Sequence, residues 1–429
     1  MTTHEQLLAR HRAVMPHWLA LYYEHPIALV GGQGCWVDDA EGRRYLDFFG
    51  GILTTMVGHN VPEVVEAIRD QAGRILHTST LYLIESQIEL AERIARLSGI
   101  PDARVFFTTS GSEANEAALL LATSLRRSNQ VLALKGSYHG RSYAAMGVTG
   151  IRSWSASGYS PFDVSYVQSG YRYRSPFPGL DDEAFTAACV ADLKMVLDTT
   201  TSGDVACMIA EPIQGVGGFT IPPEGMLGAY AEVLRPLGAH FVSDEVQSGW
   251  GRTGEHFWGI QAHGFTPDAM TFAKGLGNGV GIAGVVARAE LMEAVGANSI
   301  STFGGNPIAT RAALATLDYL QAHDLQRNAK VTGERLLDGF ERLAKTHETI
   351  GEVRGKGLMI GVELVRPGTT EPDAAAASAV LEGARRAGLL VGKGGLYGNV
   401  LRIAPPLSVT EAEVDDGLGR LEEALDGMP

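Results

Sequence analysis

Cysteine is scarce in this chain: Cys35, Cys189 and Cys207 are the only three among 429 residues. They are odd in number and lack the close pairing of a zinc site, so they form no disulfide framework and point to a reducing compartment. No uninterrupted apolar run reaches the roughly 20 residues needed to span a bilayer. The first ten residues, Met1-Thr-Thr-His-Glu-Gln-Leu-Leu-Ala-Arg10, lack the apolar core of a secretory signal. The expected location is cytoplasmic, with no membrane partner. Positive charge is also in deficit. With 35 Lys and Arg against 49 Asp and Glu, the formal charge is -14, which disfavours nucleic acid as a partner. Several catalytic signatures are missing: there is no Walker A loop, no H-E-x-x-H and no G-x-S-x-G. Gly275-Leu-Gly277-Asn-Gly279 has the wrong spacing for a dinucleotide loop.

What is present is an ordinary globular composition, 45% apolar and 20% charged, with 53 glycines. The glycines cluster where apparent strands give way to helices. Trp36–Phe48 alternates around Gly42 and predicts a hairpin; residues 62–78 and 85–97 have helical spacing. Strands are then expected at residues 104–109, 131–135, 205–211, 240–244, 267–274 and 281–287, with a helix at 112–126 after the first. Residues 151–180 lack periodicity and read as a long loop beside a cleft. Two long helical patterns fill 306–346. Strand 357–365, helix 373–387, strand 399–404 and helix 410–426 follow. This order predicts an α/β fold: a large domain with a mostly parallel sheet covered by helices, and a smaller α+β domain. Residues 1–60 and 326–429 are assigned to the small domain and 61–325 to the large one.

The chemistry concentrates at the predicted strand ends, where ligands bind in such sheets. His240-Phe-Val-Ser-Asp244-Glu-Val246-Gln247 is an apolar run ending in an acid. Pro267-Asp-Ala-Met-Thr-Phe-Ala-Lys274 is another ending in a lysine. A lysine and an aspartate at neighbouring strand ends suit pyridoxal phosphate (PLP). The lysine can form a Schiff base with the aldehyde, and the aspartate can keep the pyridine nitrogen protonated. Ser110-Gly111-Ser112-Glu113 joins a strand to a helix; its amides suit a phosphate, and Ser110 and Glu113 equally suit a plain capping box. Tyr138-His139-Gly-Arg141 offers a ring to stack on a cofactor and a guanidinium for a carboxylate, although a core Tyr and a solvated Arg have the same spelling. Glu211 ends a strand before a glycine-rich loop. Ser301-Thr302 precedes a helix, where hydroxyls bind phosphate or cap the helix. Arg402 is a lone arginine in a strand.

Taken together, in this order and spacing, these segments resemble the class III aminotransferases, PLP enzymes of fold type I that include the 4-aminobutyrate, acetylornithine and alanine–glyoxylate aminotransferases. The resemblance runs from about Gly34 to the C-terminus. It implies a sheet of seven-stranded type in the large domain and a role for each matching position. Lys274 forms the Schiff base and moves the proton, Asp244 pairs with the ring nitrogen, and Val246 and Tyr138 cover the two ring faces. Gln247 bonds the phenolic oxygen, with Glu211 and His139 close by. Ser110, Gly111 and Ser112 hold the phosphate. Thr302, with Ser301, reaches the phosphate of a partner subunit in a homodimer. Arg402 grips the α-carboxylate, and Arg141 matches an arginine that binds substrate carboxylates in the 4-aminobutyrate and acetylornithine enzymes.

The implied reaction moves an amino group from an amino acid, including ω-amino acids, to a 2-oxo acid such as pyruvate, glyoxylate or 2-oxoglutarate by a ping-pong mechanism. The alternative is a decarboxylating transaminase or an aminomutase of the same fold. A non-enzymatic scaffold is disfavoured by the intact set of residues. One departure matters. Many ω-aminotransferases read E-P-I-Q-G-E, where the second glutamate pairs with the α-carboxylate arginine and swings away when needed. Here that position is Val216, so Arg402 lacks the switch.

Overall fold

The computed structural model describes residues 3–428. Strands β1 (Leu29–Gln33), β2 (Trp36–Asp39) and β3 (Arg44–Asp47) form an antiparallel meander. The expected hairpin lies within it, Trp36 facing Leu46 and Gly42 turning the chain at φ 85°. The large sheet comprises β4 (Ala103–Thr108), β5 (Gln130–Leu134), β6 (Asp163–Val167), β7 (Val205–Ala210), β8 (His240–Asp244), β9 (Ala269–Phe272) and β10 (Ala283–Arg288). Its order is β4-β10-β9-β8-β7-β5-β6. The four neighbouring pairs from β9 to β6 are parallel, and only β10 runs against its neighbours. This is the mostly parallel sheet that the chain's alternation predicts.

Both faces of this sheet are buried. Val131, Ala133, Cys207, Ile209 and Val242 pack on one side, against Ala118, Leu119 and Ala122 of the helix Gly111–Arg126. Their sequence neighbours Leu132, Leu134, Met208 and Phe241 face the other. A strand buried on both sides reads as a continuous apolar run, which is why these were legible.

The strand β6 was not. It lies inside the stretch expected to be a loop, at the sheet edge, where half of its residues need not be apolar. The helices Asp182–Thr200 and Met226–Leu234 are also additions, crossing between β6 and β7 and between β7 and β8.

The C-terminal part carries β11 (Ile350–Lys356), β12 (Met359–Leu364), β13 (Leu389–Leu390), β14 (Gly392–Gly394) and β15 (Val400–Ile403). β11, β12, β15 and β14 form one antiparallel sheet; β13 instead pairs in parallel with β3 of the N-terminal meander. The strand expected at 357–365 is thus the second arm of a hairpin whose first arm, β11, is polar and partly exposed. Among the described residues, no helix is long and apolar enough to cross a membrane.

Candidate active site

The carboxyl ends of β4, β5, β7, β8 and β9 open onto one cavity of about 320 Å³. Ser110, Gly111 and Ser112 line it from β4, Tyr138 and His139 from β5, and Glu211 from β7. Asp244, Val246 and Gln247 enter from β8 and Lys274 from β9. Strand register explains the convergence. Asp244 faces Thr271 across β8 and β9, and Ala210, just before Glu211, faces Ser243.

Lys274 sits two residues past β9 with φ 44°, a left-handed conformation that a non-glycine residue adopts only under constraint. Burial pushes its ammonium below the usual lysine range, against the pull of Asp244 and Glu211. Among the described residues Lys274 makes no salt bridge. Burial thus eases the loss of the proton that the amine must shed before it can act as a nucleophile.

Asp244 is held on both oxygens. One accepts from the Val246 amide at 3.1 Å; the other accepts from Asn115 Nδ2 at 2.7 Å and lies 2.8 Å from His139 Nδ1. Asn115 also donates to the His139 carbonyl and accepts from Thr271 Oγ1 at 2.6 Å. It was overlooked in the sequence. The available signal was a polar residue on the apolar face of its helix, between Ala114 and Ala118. Glu211 accepts from the Tyr138 and Gly215 amides, each at 2.8 Å, and so ties two loops together. Burial first, and Asp244 beside it, raise its carboxyl above the usual range.

At the helix start, Ser110 Oγ accepts from the Glu113 amide, while the Glu113 carboxylate accepts from the Thr109 amide and the Ser110 hydroxyl; Ser110 caps the helix, but the expected box is displaced by one residue. The Gly111 and Ser112 amides remain without a partner among the described residues and line the cavity, a ready anion cradle. A Cβ on Gly111 would lie 3.3 Å from both Val246 methyls, and one on Gly140 would lie 2.4 Å from Ser112 Oγ. Close approach explains both glycines. Gln247 is buried with Oε1 unpartnered, pressed against Gly215.

Four residues lie outside this cavity lining. Ser301 and Thr302 line a neighbouring concavity with Glu113 and Tyr143, and Thr302 is exposed. Arg141 is exposed, its guanidinium 5.8 Å from the centre of the Trp18 ring, while its amide donates to Ser112 Oγ. Arg402 is buried on β15 behind Gly215, donating from Nη1 to the Gly215 carbonyl at 3.1 Å. Its guanidinium lies between Phe49, 4.9 Å away, and Phe219, 5.5 Å away. Its Nε has no partner, and no carboxylate pairs with it among the described residues. A buried arginine without a counter-ion is poised for an anionic ligand.

A reactive buried amine, a fixed carboxylate, an unpartnered amide and an open helix start together fit PLP, and define a PLP-dependent enzyme. The family described as Aminotransferase class-III matches residues 21–425. The chain belongs to this family and is a PLP-dependent aminotransferase. It is 38% identical over 424 residues to alanine–glyoxylate aminotransferase 2 homolog 2, mitochondrial, of Arabidopsis thaliana, covering 98% of this chain and 86% of that protein. It is 37% identical to a leucine/methionine racemase of Thermococcus litoralis, covering 98% and 95%. Among solved structures, a thermostable (S)-enantioselective omega-transaminase from Thermomicrobium roseum matches with a TM-score of 0.91, 35% identity and 98% of both chains covered.

Proposed function

We propose that this aminotransferase moves an amino group from an amino acid, α or ω, to a 2-oxo acid by two half-reactions in ping-pong order. The observation that carries the reading is Lys274, a constrained and buried amine sharing one cavity with Asp244 and an open helix start. When bound, PLP supplies an aldehyde carbon and an electron-accepting ring. Lys274 Nζ would hold the aldehyde and would serve as the acid and base for the substrate Cα proton. Asp244, held in place by Asn115 and the Val246 amide, would face the ring nitrogen and keep a proton on it. Gln247 would reach the phenolic oxygen, Val246 and Tyr138 would bound the ring, and Ser110, Gly111 and Ser112 would take the phosphate.

Arg402 binds the carboxylate next to the reacting amine. Arg141 serves a distal carboxylate once it leaves Trp18. Pyruvate, glyoxylate and 2-oxoglutarate are the acceptors to test first; the Arabidopsis relative's name favours glyoxylate. Exposed apolar side chains near Thr302, among them Ile300 and Phe303, support a homodimer in which Thr302 reaches the partner's phosphate. The pairing of β3 with β13 supports a single small domain built from residues 1–60 and 326–429, beside a large domain of 61–325.

The test is a panel of amino donors, ω-amino acids included, against these three acceptors, with product formation followed at varied concentrations of both. Parallel double-reciprocal lines are expected. Turnover of one amino acid with no acceptor present, as racemisation, aminomutase chemistry or carbon dioxide release, would sink the reading.

A further inference from the structure

Arg354, Gly361, Arg402 and Gly392 lie directly opposite one another on β11, β12, β15 and β14. Paired positions across a sheet share a face. The row therefore presents two guanidiniums separated by a glycine, with another glycine beyond. Both arginines reach up to one loop. Arg402 donates to the Gly215 carbonyl, and Arg354 donates from Nε at 3.0 Å and Nη2 at 2.8 Å to the Gly218 carbonyl.

The glycines make the approach possible. A Cβ on Gly361 would lie 2.4 Å from the Gly218 oxygen, one on Gly392 would lie 2.2 Å from the Phe49 ring, and one on Gly394 would lie 2.9 Å from the Val216 oxygen. Arg354 is itself fixed. Its Nη1 donates to Glu363 at 2.8 Å and to Glu352. Glu363 is fully buried and also receives Tyr171, Arg174 and Asn399. The loop's near end meets the site twice: the Gly215 amide donates to Glu211, and Gly215 packs on Gln247.

We infer that Arg354 is a positioning residue for the substrate carboxylate: it straps Gly218 to the C-terminal sheet, so that the Gly215 carbonyl holds one edge of Arg402 and leaves the other free for the anion. Val216 sits in the strapped loop and brings no acid to compete for Arg402. The clamp is therefore static and serves donor and acceptor alike. The inference rests on the reading of Arg402 given above.

Arg354→Met, Arg354→Lys, Gly361→Ala and Arg402→Ala are compared with the parent as holoenzymes, using the best donor and best acceptor of the panel. Melting temperature and the visible spectrum of the bound cofactor are recorded for each. The expected result for Arg354→Met is a rise in KM of about tenfold or more for both substrates, with kcat within about twofold and the spectrum unchanged. Arg354→Lys, which keeps one donor, falls between. Gly361→Ala wedges the loop from Arg354 without removing a charge and reproduces the KM effect. It decides the matter if Arg354→Met does not fold. Unchanged KM in Arg354→Met or Gly361→Ala, while Arg402→Ala raises it, overturns the positioning role and leaves the Arg402 reading intact. A fall in kcat at constant KM also overturns it. Unchanged KM in Arg402→Ala removes the carboxylate reading, and this proposal with it.

Discussion

At Lys274 the chain concentrates two costs in one residue: a left-handed backbone, which costs on the order of 1–2 kcal/mol, and a buried amine. Lys274→Ala is expected to lower kcat by at least roughly 10²–10⁴-fold, the range for losing an acid–base group, and borohydride is expected to leave no cofactor attached to it. The titration has a definite sign. The folded chain gives up the lysine proton more readily than the unfolded chain, whose lysine stays near 10.5. Stability of the cofactor-free protein therefore gains from this residue as pH rises from its folded pKa towards 10.5. The rate of PLP uptake should rise over pH with a midpoint below 10.5. A midpoint at or above 10.5 would contradict the assignment. Asn115 invites a third test. Asn115→Ala removes a neutral donor from a buried carboxylate, a hydrogen bond of about 1.5–3 kcal/mol. PLP affinity, measured by equilibrium dialysis, should fall about tenfold or more, while Asn115→Asp should do worse because it sets a second acid against Asp244.

At the scale of elements, the parallel strands bring the site together because each releases its chemistry at the same end. Their interiors serve stability. Leu132→Ala on β5, fully buried and outside the cavity lining, should cost about 2–5 kcal/mol in chemical denaturation while leaving KM near the parent value. Loss of activity in the folded variant would place β5 packing closer to the chemistry than the geometry does. Edge elements were the hard part of the sequence. β6 and β11 are half-polar and borrow their order from β5 and β12, so their own residues hardly mark them.

For the whole molecule, exposed apolar surface bears on assembly and Arg141 on substrate breadth. Ile300 and Phe303 flank Thr302 with more than half of their surface exposed, at 56% and 60%, and Leu83 stands at 92%. Light scattering should report a dimer. Thr302→Ala should weaken PLP binding without splitting the dimer; a monomer with full PLP affinity would remove Thr302 from the phosphate site. Arg141 is parked on Trp18 in this structure. Arg141→Ala should raise KM for dicarboxylate and ω-amino-acid substrates selectively, whereas an equal loss for all substrates would mark it as structural.

Much of the site was legible because its residues stand at the ends of buried apolar runs, where a charged side chain conflicts with its surroundings and so declares a purpose. Lys274, Asp244 and Glu211 are of that kind, and Ser110–Ser112 announces a helix start by its own hydroxyls and glycine. The sequence by itself therefore determined six of the seven strands of the large sheet, the cofactor and the cavity's main lining. Tertiary structure alone decided that Asn115 orients Asp244, that Arg402 lies between two aromatic rings with one edge unpartnered, and that Arg354 and Arg402 share a row of one sheet. Asn115 meets Asp244 only where a helix packs on the sheet, and the row of arginines depends on β12 pairing with β15, far away in the chain. Register is set by the packing of whole sheets, and no local pattern of residue types encodes it.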